Sequence, residues 1–146
     1  MEYRKLMTDF AAKLGLADLA FTDDGEVCLS MNDVVVSFLE VPERRALLMW
    51  SEVAEPPQGN LEKLYEAMFD AMFMGRGTGG ATFSREGDRI WLQQSEALVN
   101  LDAETLAPLF DRFVSIVGEW RGIIRNYRPE AASSTADGIP ADAIQI

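Results

Sequence analysis

The sequence predicts an α+β fold: a single domain in which three helices accompany a twisted antiparallel sheet, in the order α-β-β-β-α-β-β-α. Three observations predict it. Apolar residues recur every three or four positions in three separate stretches. Five shorter runs are rich in apolar residues, three of them alternating apolar with polar, and short turn signals join most of them. The chain of 146 residues, 48% hydrophobic and 25% charged, suits one modest core.

The first helix covers residues 2–14. Tyr3, Leu6, Met7, Phe10 and Leu14 share one face, Arg4, Lys5, Asp9 and Lys13 fill the gaps, and Gly15 ends it. After the turn TDDGE, Val27, Leu29 and Met31 alternate with Cys28 and Ser30 as a first strand. Asn32-Asp33 turns the chain into a second strand, 34–41, and Pro42-Glu43 into a third, 46–53. Strands so short, joined by turns so tight, make an antiparallel meander.

Asn60 is the expected N-cap of a second helix, whose apolar face runs Leu61, Leu64, Tyr65, Met68, Phe69, Met72 and Phe73. Residues 81–86 and 89–94, with Gly87-Asp88 between them, read as a hairpin. Asp102 is the expected cap of the last helix, with Leu101 stapling against Leu106. Pro108 is expected to separate a first turn from a main helix starting near Ala107 and running to Tyr127. The domain thus spans residues 1–127. Residues 128–146, small, polar and poor in aromatics, read as a disordered tail.

Composition removes several classes of chemistry. The chain has no histidine, which excludes Ser-His-Asp and Cys-His nucleophile systems and histidine-ligated metal sites. Its net charge of −11 opposes phosphate backbones, so no nucleic-acid partner is expected. No apolar run approaches the ~20 residues that cross a bilayer, and the N-terminus lacks a signal peptide's apolar stretch. The expectation is a cytoplasmic protein with no membrane insertion. Cys28, the single cysteine, sits in an alternating apolar segment and reads as an inert buried thiol.

One motif points elsewhere. Gly75, Gly77 and Gly80 fit the G-x-G-x-x-G spacing of dinucleotide-binding loops. In such loops the glycines follow a strand and open a helix, whose positive end holds the phosphate. Here they follow a helix and precede a strand, where the helix dipole repels phosphate. The expected reading is a C-cap glycine, Gly75, followed by a flexible connection. No cofactor and no enzymatic activity are expected. An enzyme would have to rest on this loop or on acids such as Asp23, Asp24 and Glu26, which crowd a turn for backbone reasons.

Two strands are apolar on both faces. Val34, Val36 and Phe38 oppose Val35, Leu39 and Val41, and Leu47, Met49 and Val53 oppose Leu48 and Trp50. A large apolar patch on a soluble protein marks an interface, so a self-association or partner surface is expected over complete cover by the chain's own helices.

The pattern as a whole, over residues 2–127, resembles the class I type III secretion chaperones, the Tir chaperone (CesT) family. The stretches LMTDFAAKLGL, DDGEVCLSMNDVVVSFLEVPERRALLMWSEV, LEKLYEAMFDAMF, ATFSREGDRIWLQQ and LDAETLAPLFDRFVSIVGEW carry the resemblance. It implies a homodimer that binds the N-terminal, non-globular segment of a secreted effector and keeps it soluble for export, without hydrolysing ATP. Carried onto this chain, the partner-binding groove draws on Tyr3, Leu6 and Phe10 with Val35, Leu39, Leu48 and Trp50. The dimer contact draws on Leu64, Met68, Phe69, Met72 and Trp91. Which strand face is groove and which is core stays open at this level. The alternative is a dimeric adaptor or regulator of the same fold that binds folded partners outside secretion.

Overall fold

The computed structural model describes residues 2–129. Its elements are α1 (Tyr3–Lys13), β1 (Val27–Met31), β2 (Val34–Val41), β3 (Ala46–Ala54), α2 (Glu62–Met72), β4 (Thr82–Glu86), β5 (Arg89–Ala97) and α3 (Ala103–Asn126), with single 3-10 turns at Pro42–Arg44, Phe73–Gly75 and Leu98–Asn100. This is the predicted order. The five strands form one antiparallel sheet in the order β1-β2-β3-β5-β4, so β1 and β4 are its edges. The described chain divides into two compact bodies, residues 2–51 with 93–114 and residues 52–92 with 115–129.

In the first body the turns set the register. Asn32 and Asp33 both take positive φ (53° and 65°), as a type I′ hairpin requires. That pairs Leu29 with Val36 and Val27 with Phe38. Arg45 (φ 50°) closes the next turn and pairs Leu39 with Leu48 and Ser37 with Trp50. Because side chains alternate along a strand, Val34, Val36, Phe38, Leu47 and Met49 share one face, and all are buried. Leu6, Met7 and Phe10 of α1 are fully buried as well, with the Phe10 ring edge-on to Phe38 (6.3 Å between centroids) and to Phe110 (5.3 Å). Two bonds close α1 behind Gly15: the Gly15 N–H donates to the Ala12 carbonyl (3.0 Å) and the Leu16 N–H to that of Ala11 (2.8 Å).

Two expectations need correction here. Cys28 is exposed, because the alternation that buries Val27 and Leu29 turns the residue between them outward. Its Sγ lies 3.3 Å from Ser37 Oγ. Pro108 does not split α3, which is one helix from Ala103 to Asn126. A proline costs its own N–H bond to the carbonyl four residues back, here that of Glu104 in the first turn. Glu104 and Pro108 are both exposed, so water can satisfy that carbonyl. The helix start is also well secured. Asp102 Oδ1 accepts the Thr105 N–H (2.8 Å) and Thr105 Oγ1 accepts the Asp102 N–H (2.9 Å), while Leu101 and Leu106 are buried.

In the second body α2 buries Leu64, Ala67, Met68 and Ala71. Leu61 rather than Asn60 stands at the N-cap of α2; Asn60, expected there, lies one residue earlier, and its Oδ1 accepts the Glu62 N–H at 2.9 Å. Gly87 (φ 60°) turns the β4–β5 hairpin. The glycine stretch is not a loose connection. Met74 (φ 54°) and Gly75 (φ 71°) both lie in the left-handed region, and the N–H groups of Arg76, Gly77, Gly79 and Ala81 donate to protein carbonyls. Buried Trp120 donates its indole N–H to the Gly77 carbonyl (3.1 Å) and meets Phe83 edge-on at 4.9 Å. Arg121 donates to the Glu52 and Val53 carbonyls, and the Tyr127 hydroxyl to that of Asn60 (2.7 Å). Of the expected tail, Arg128 donates to the Arg125 carbonyl and Pro129 is buried against Gly59; residues 130–146 lie outside the described residues.

Candidate protein-binding surfaces

The first body divides the seven groove residues between two places. Tyr3, Leu6 and Phe10 point into the core. The Tyr3 hydroxyl donates to the Gly25 carbonyl (2.7 Å) and the Phe38 carbonyl (3.1 Å), and burial pushes its pKa up to about 12. Val35, Leu39, Leu48 and Trp50 lie on the opposite face of the strands from Val36, Phe38 and Met49. The seven therefore do not share one surface. An amphipathic helix facing a sheet spends its apolar stripe on the inner strand face, which leaves the outer face to the strand residues.

That outer face is an apolar strip with a polar margin. Leu39 pairs with Leu48, Ser37 with both Trp50 and Cys28, and Val35 with Ser30. Val35 is 53% exposed, while Leu39, Leu48 and Trp50 are half-buried. Ser51 Oγ donates to the Val35 carbonyl at 2.7 Å, which fixes the backbone beneath the exposed valine.

The second body carries another apolar surface. Of the five residues expected at a dimer contact, Leu64 and Met68 are buried, Met72 and Trp91 are half-buried, and Phe69 is 70% exposed. The Trp91 indole N–H is buried and has no hydrogen-bond partner among the described residues. Between α2 and β4 lies a pocket of about 200 Å³, lined by Met68, Phe69, Met72, Phe83 and Ile90, with Tyr65 and Arg85 at its polar side. Phe73 and Met74, exposed at 60% and 85%, extend the apolar surface past the end of the helix. The helical spacing of Phe69 and Phe73 announces the first of these. The outward thrust of Met74 comes from its left-handed backbone, for which no local sequence signal exists.

No group of histidine, cysteine, aspartate or glutamate side chains among the described residues could hold a metal ion. No described helix is long and apolar enough to cross a membrane. The surfaces that stand out are apolar and suited to holding other chains.

The family model of the Tir chaperone protein (CesT) family matches residues 5–121. This chain belongs to that family. The match runs from α1 into the last quarter of α3 and takes in both apolar surfaces. It places the protein among the chaperones of type III secretion. No curated protein matches the sequence. Solved structures confirm the family's fold. The crystal structure of an ExsC–ExsE complex superposes with a TM-score of 0.69 at 18% identity, covering 82% of this chain and 90% of the other. A HopA1–SchA chaperone–effector complex gives 0.64 at 18% identity, over 84% and 92%. The Yersinia pestis type III secretion chaperone SycH, in complex with a fragment of YscM2, gives 0.63 at 19% identity, over 80% and 97%.

Proposed function

We propose that this Tir chaperone family member works in the cytoplasm as a homodimer. It binds the N-terminal, non-globular segment of a type III secreted effector and keeps it soluble and competent for export. The observation that carries the reading is the outer strand face in the first body, where Val35, Leu39, Leu48 and Trp50 present apolar side chains that the core does not use. An extended segment docks on such a face by dropping alternate side chains between those of the strands. Binding chemistry of this kind needs no cofactor, and the chaperone–effector complex among the similar folds is consistent with it. Phe69 and Met72, with buried Leu64 and Met68 behind them, supply the dimer contact, and Trp91, which alternates with buried Ile90 and Leu92, adds to it from the other face of β5.

The test is co-purification with candidate effectors, followed by Val35→Asp and Leu48→Asp. Val35→Asp, at an exposed position, should stay close to the parent's melting behaviour, while Leu48→Asp replaces a half-buried side chain and should melt lower yet remain folded at the assay temperature. Each should also weaken effector binding at least tenfold. The protected region of the effector, mapped by hydrogen exchange, should lie in its N-terminal segment. Undiminished binding by both variants, or protection confined to a folded effector domain, would overturn the reading. The second result would favour an adaptor for folded partners.

A further inference from the structure

The glycine stretch after α2 folds tightly on itself. The Arg76 N–H donates to the Phe73 carbonyl (3.2 Å) and the Gly77 N–H to that of Ala71 (2.8 Å), and a methyl group on Gly75 would lie 3.0 Å from the Gly80 nitrogen. What this turn presents is Met74, at φ 54° and ψ 22° and 85% exposed. The left-handed region is unfavourable for every residue that carries a side chain, and glycine escapes that cost. Glycine stands at 75, 77, 79 and 80, yet the position that begins the turn carries a long apolar side chain. Strain held at so exposed a side chain gains the chain itself little, and such strain marks functional positions.

The α2–β4 pocket supplies the complement. At about 200 Å³ it is somewhat larger than the cavity of ~150 Å³ that holds a benzene ring, so it admits one methionine side chain. Its wall of Met68, Phe69, Met72, Phe83 and Ile90 offers the aromatic contacts that a thioether favours. A surface with both a projection and a hollow is self-complementary, which is the condition for a two-fold contact between identical chains. Charge points to the same partner. At a net −11, two copies repel each other at long range. Residues 62–85 are balanced, however: Glu62, Glu66 and Asp70 offset Lys63, Arg76 and Arg85.

We propose that Met74 of each copy plugs the α2–β4 pocket of a second copy, around a two-fold axis beside Phe69. Antiparallel α2 helices crossing there bring Phe73 and Met74 of one copy to the level of Tyr65 and Leu64 of the other, about 6–8 Å from the axis. Tyr65 lines the pocket. The Phe73 ring is already covered by the Arg76 guanidinium, 5.1 Å from its centre, which leaves Met74 as the plug. Arg76 comes to the level of Glu62, and neither has an oppositely charged side chain at ion-pair distance among the described residues. The other two cations are engaged within their own chain, Lys63 with Glu66 (3.3 Å) and Arg85 with the Tyr65 hydroxyl (2.6 Å). The plug rests on the dimer reading above and adds to it the side chain that locks the pair.

The test compares the parent with Met74→Gly by sedimentation, with Phe69→Glu alongside. Glycine takes the left-handed backbone without strain, so Met74→Gly should melt no lower than the parent at a dilution that keeps both monomeric. Its dimer should nevertheless dissociate at least tenfold more readily. In a mixed dimer with methyl labels on methionine in one copy and on isoleucine in the other, NMR should show the Met74 methyl in contact with the Ile90 methyl across the pair. A parent that dimerises, loses its dimer on Phe69→Glu and keeps it undiminished in Met74→Gly would overturn the plug and leave the dimer reading standing. A parent that stays monomeric at every concentration would overturn both. Should Met74→Gly dimerise like the parent but lose a co-purified effector, the turn serves the effector and the proposal falls.

Discussion

Tyr3 shows how one side chain joins three stretches of sequence. Its ring is buried in the core, and its hydroxyl serves the carbonyls of Gly25 and Phe38. Tyr3→Phe leaves both carbonyls without that donor and should cost about 1–2 kcal/mol in denaturant titrations at pH 7. The pH dependence has a definite sign. The folded-state pKa, about 12, exceeds the ordinary tyrosine value of 10.0. The parent's advantage over the variant should thus be whole below pH 10 and shrink as the pH rises toward 12. A difference that stays flat through that window would show that the hydroxyl is not held as described. Asp102 gives the opposite sign. Its hydrogen bonds from Thr105 hold its carboxyl below the ordinary value, so its contribution is present above the usual carboxylate range and lost as the pH falls through the lowered pKa. Asp102→Ala should melt lower than the parent at pH 7 and converge with it in strong acid.

At the scale of elements, periodicity made the order readable while long-range bonds stayed invisible. The spacing of Tyr3, Leu6 and Phe10 and the alternation of Val34, Val36 and Phe38 state which residues lie inward, and these are the buried ones. The same alternation already placed Cys28 opposite Val27 and Leu29, and its general preference for interiors misled. The glycine stretch looked loose because its anchor, Trp120, lies 43 residues away along the chain. Trp120→Phe keeps an aromatic ring near Phe83 but removes the donor to the Gly77 carbonyl. It should cost about 1–2 kcal/mol and speed amide exchange at Gly77 and Gly79 at least tenfold. Unchanged exchange there would show that the indole bond does not hold the turn. Pro108 misled for another reason: its cost depends on whether one carbonyl reaches water, which exposure decides and sequence does not.

For the whole molecule, the question is which surfaces other chains use. The sequence marked Val35, Leu39, Leu48 and Trp50 as surplus to a one-sided sheet, and the structure places them together on the outer face. It could not tell that Tyr3, Leu6 and Phe10 lie on the other side, because each strand offers two apolar faces and α1 covers only one. On the second surface, Phe69→Glu changes a side chain that is 70% exposed. The fold should survive, and light scattering should show a monomer of 16.2 kDa where the proposed parent dimer should give twice that mass. A variant that still dimerises would move the contact away from this face of α2.

The first body has a temporal consequence, because it is assembled from residues 2–51 and 93–114. During synthesis α1 and the first three strands emerge without Phe110, the ring that completes their aromatic cluster with Phe10 and Phe38. At ~5–20 residues per second, translating residues 52–92 alone leaves that cluster open for roughly 2–8 s. Through that interval the nascent chain shows neighbouring proteins an unfinished apolar sheet, the kind of surface that aggregates. Slow codons across residues 52–92 would lengthen the exposure and lower the yield of folded protein without changing a single residue of it.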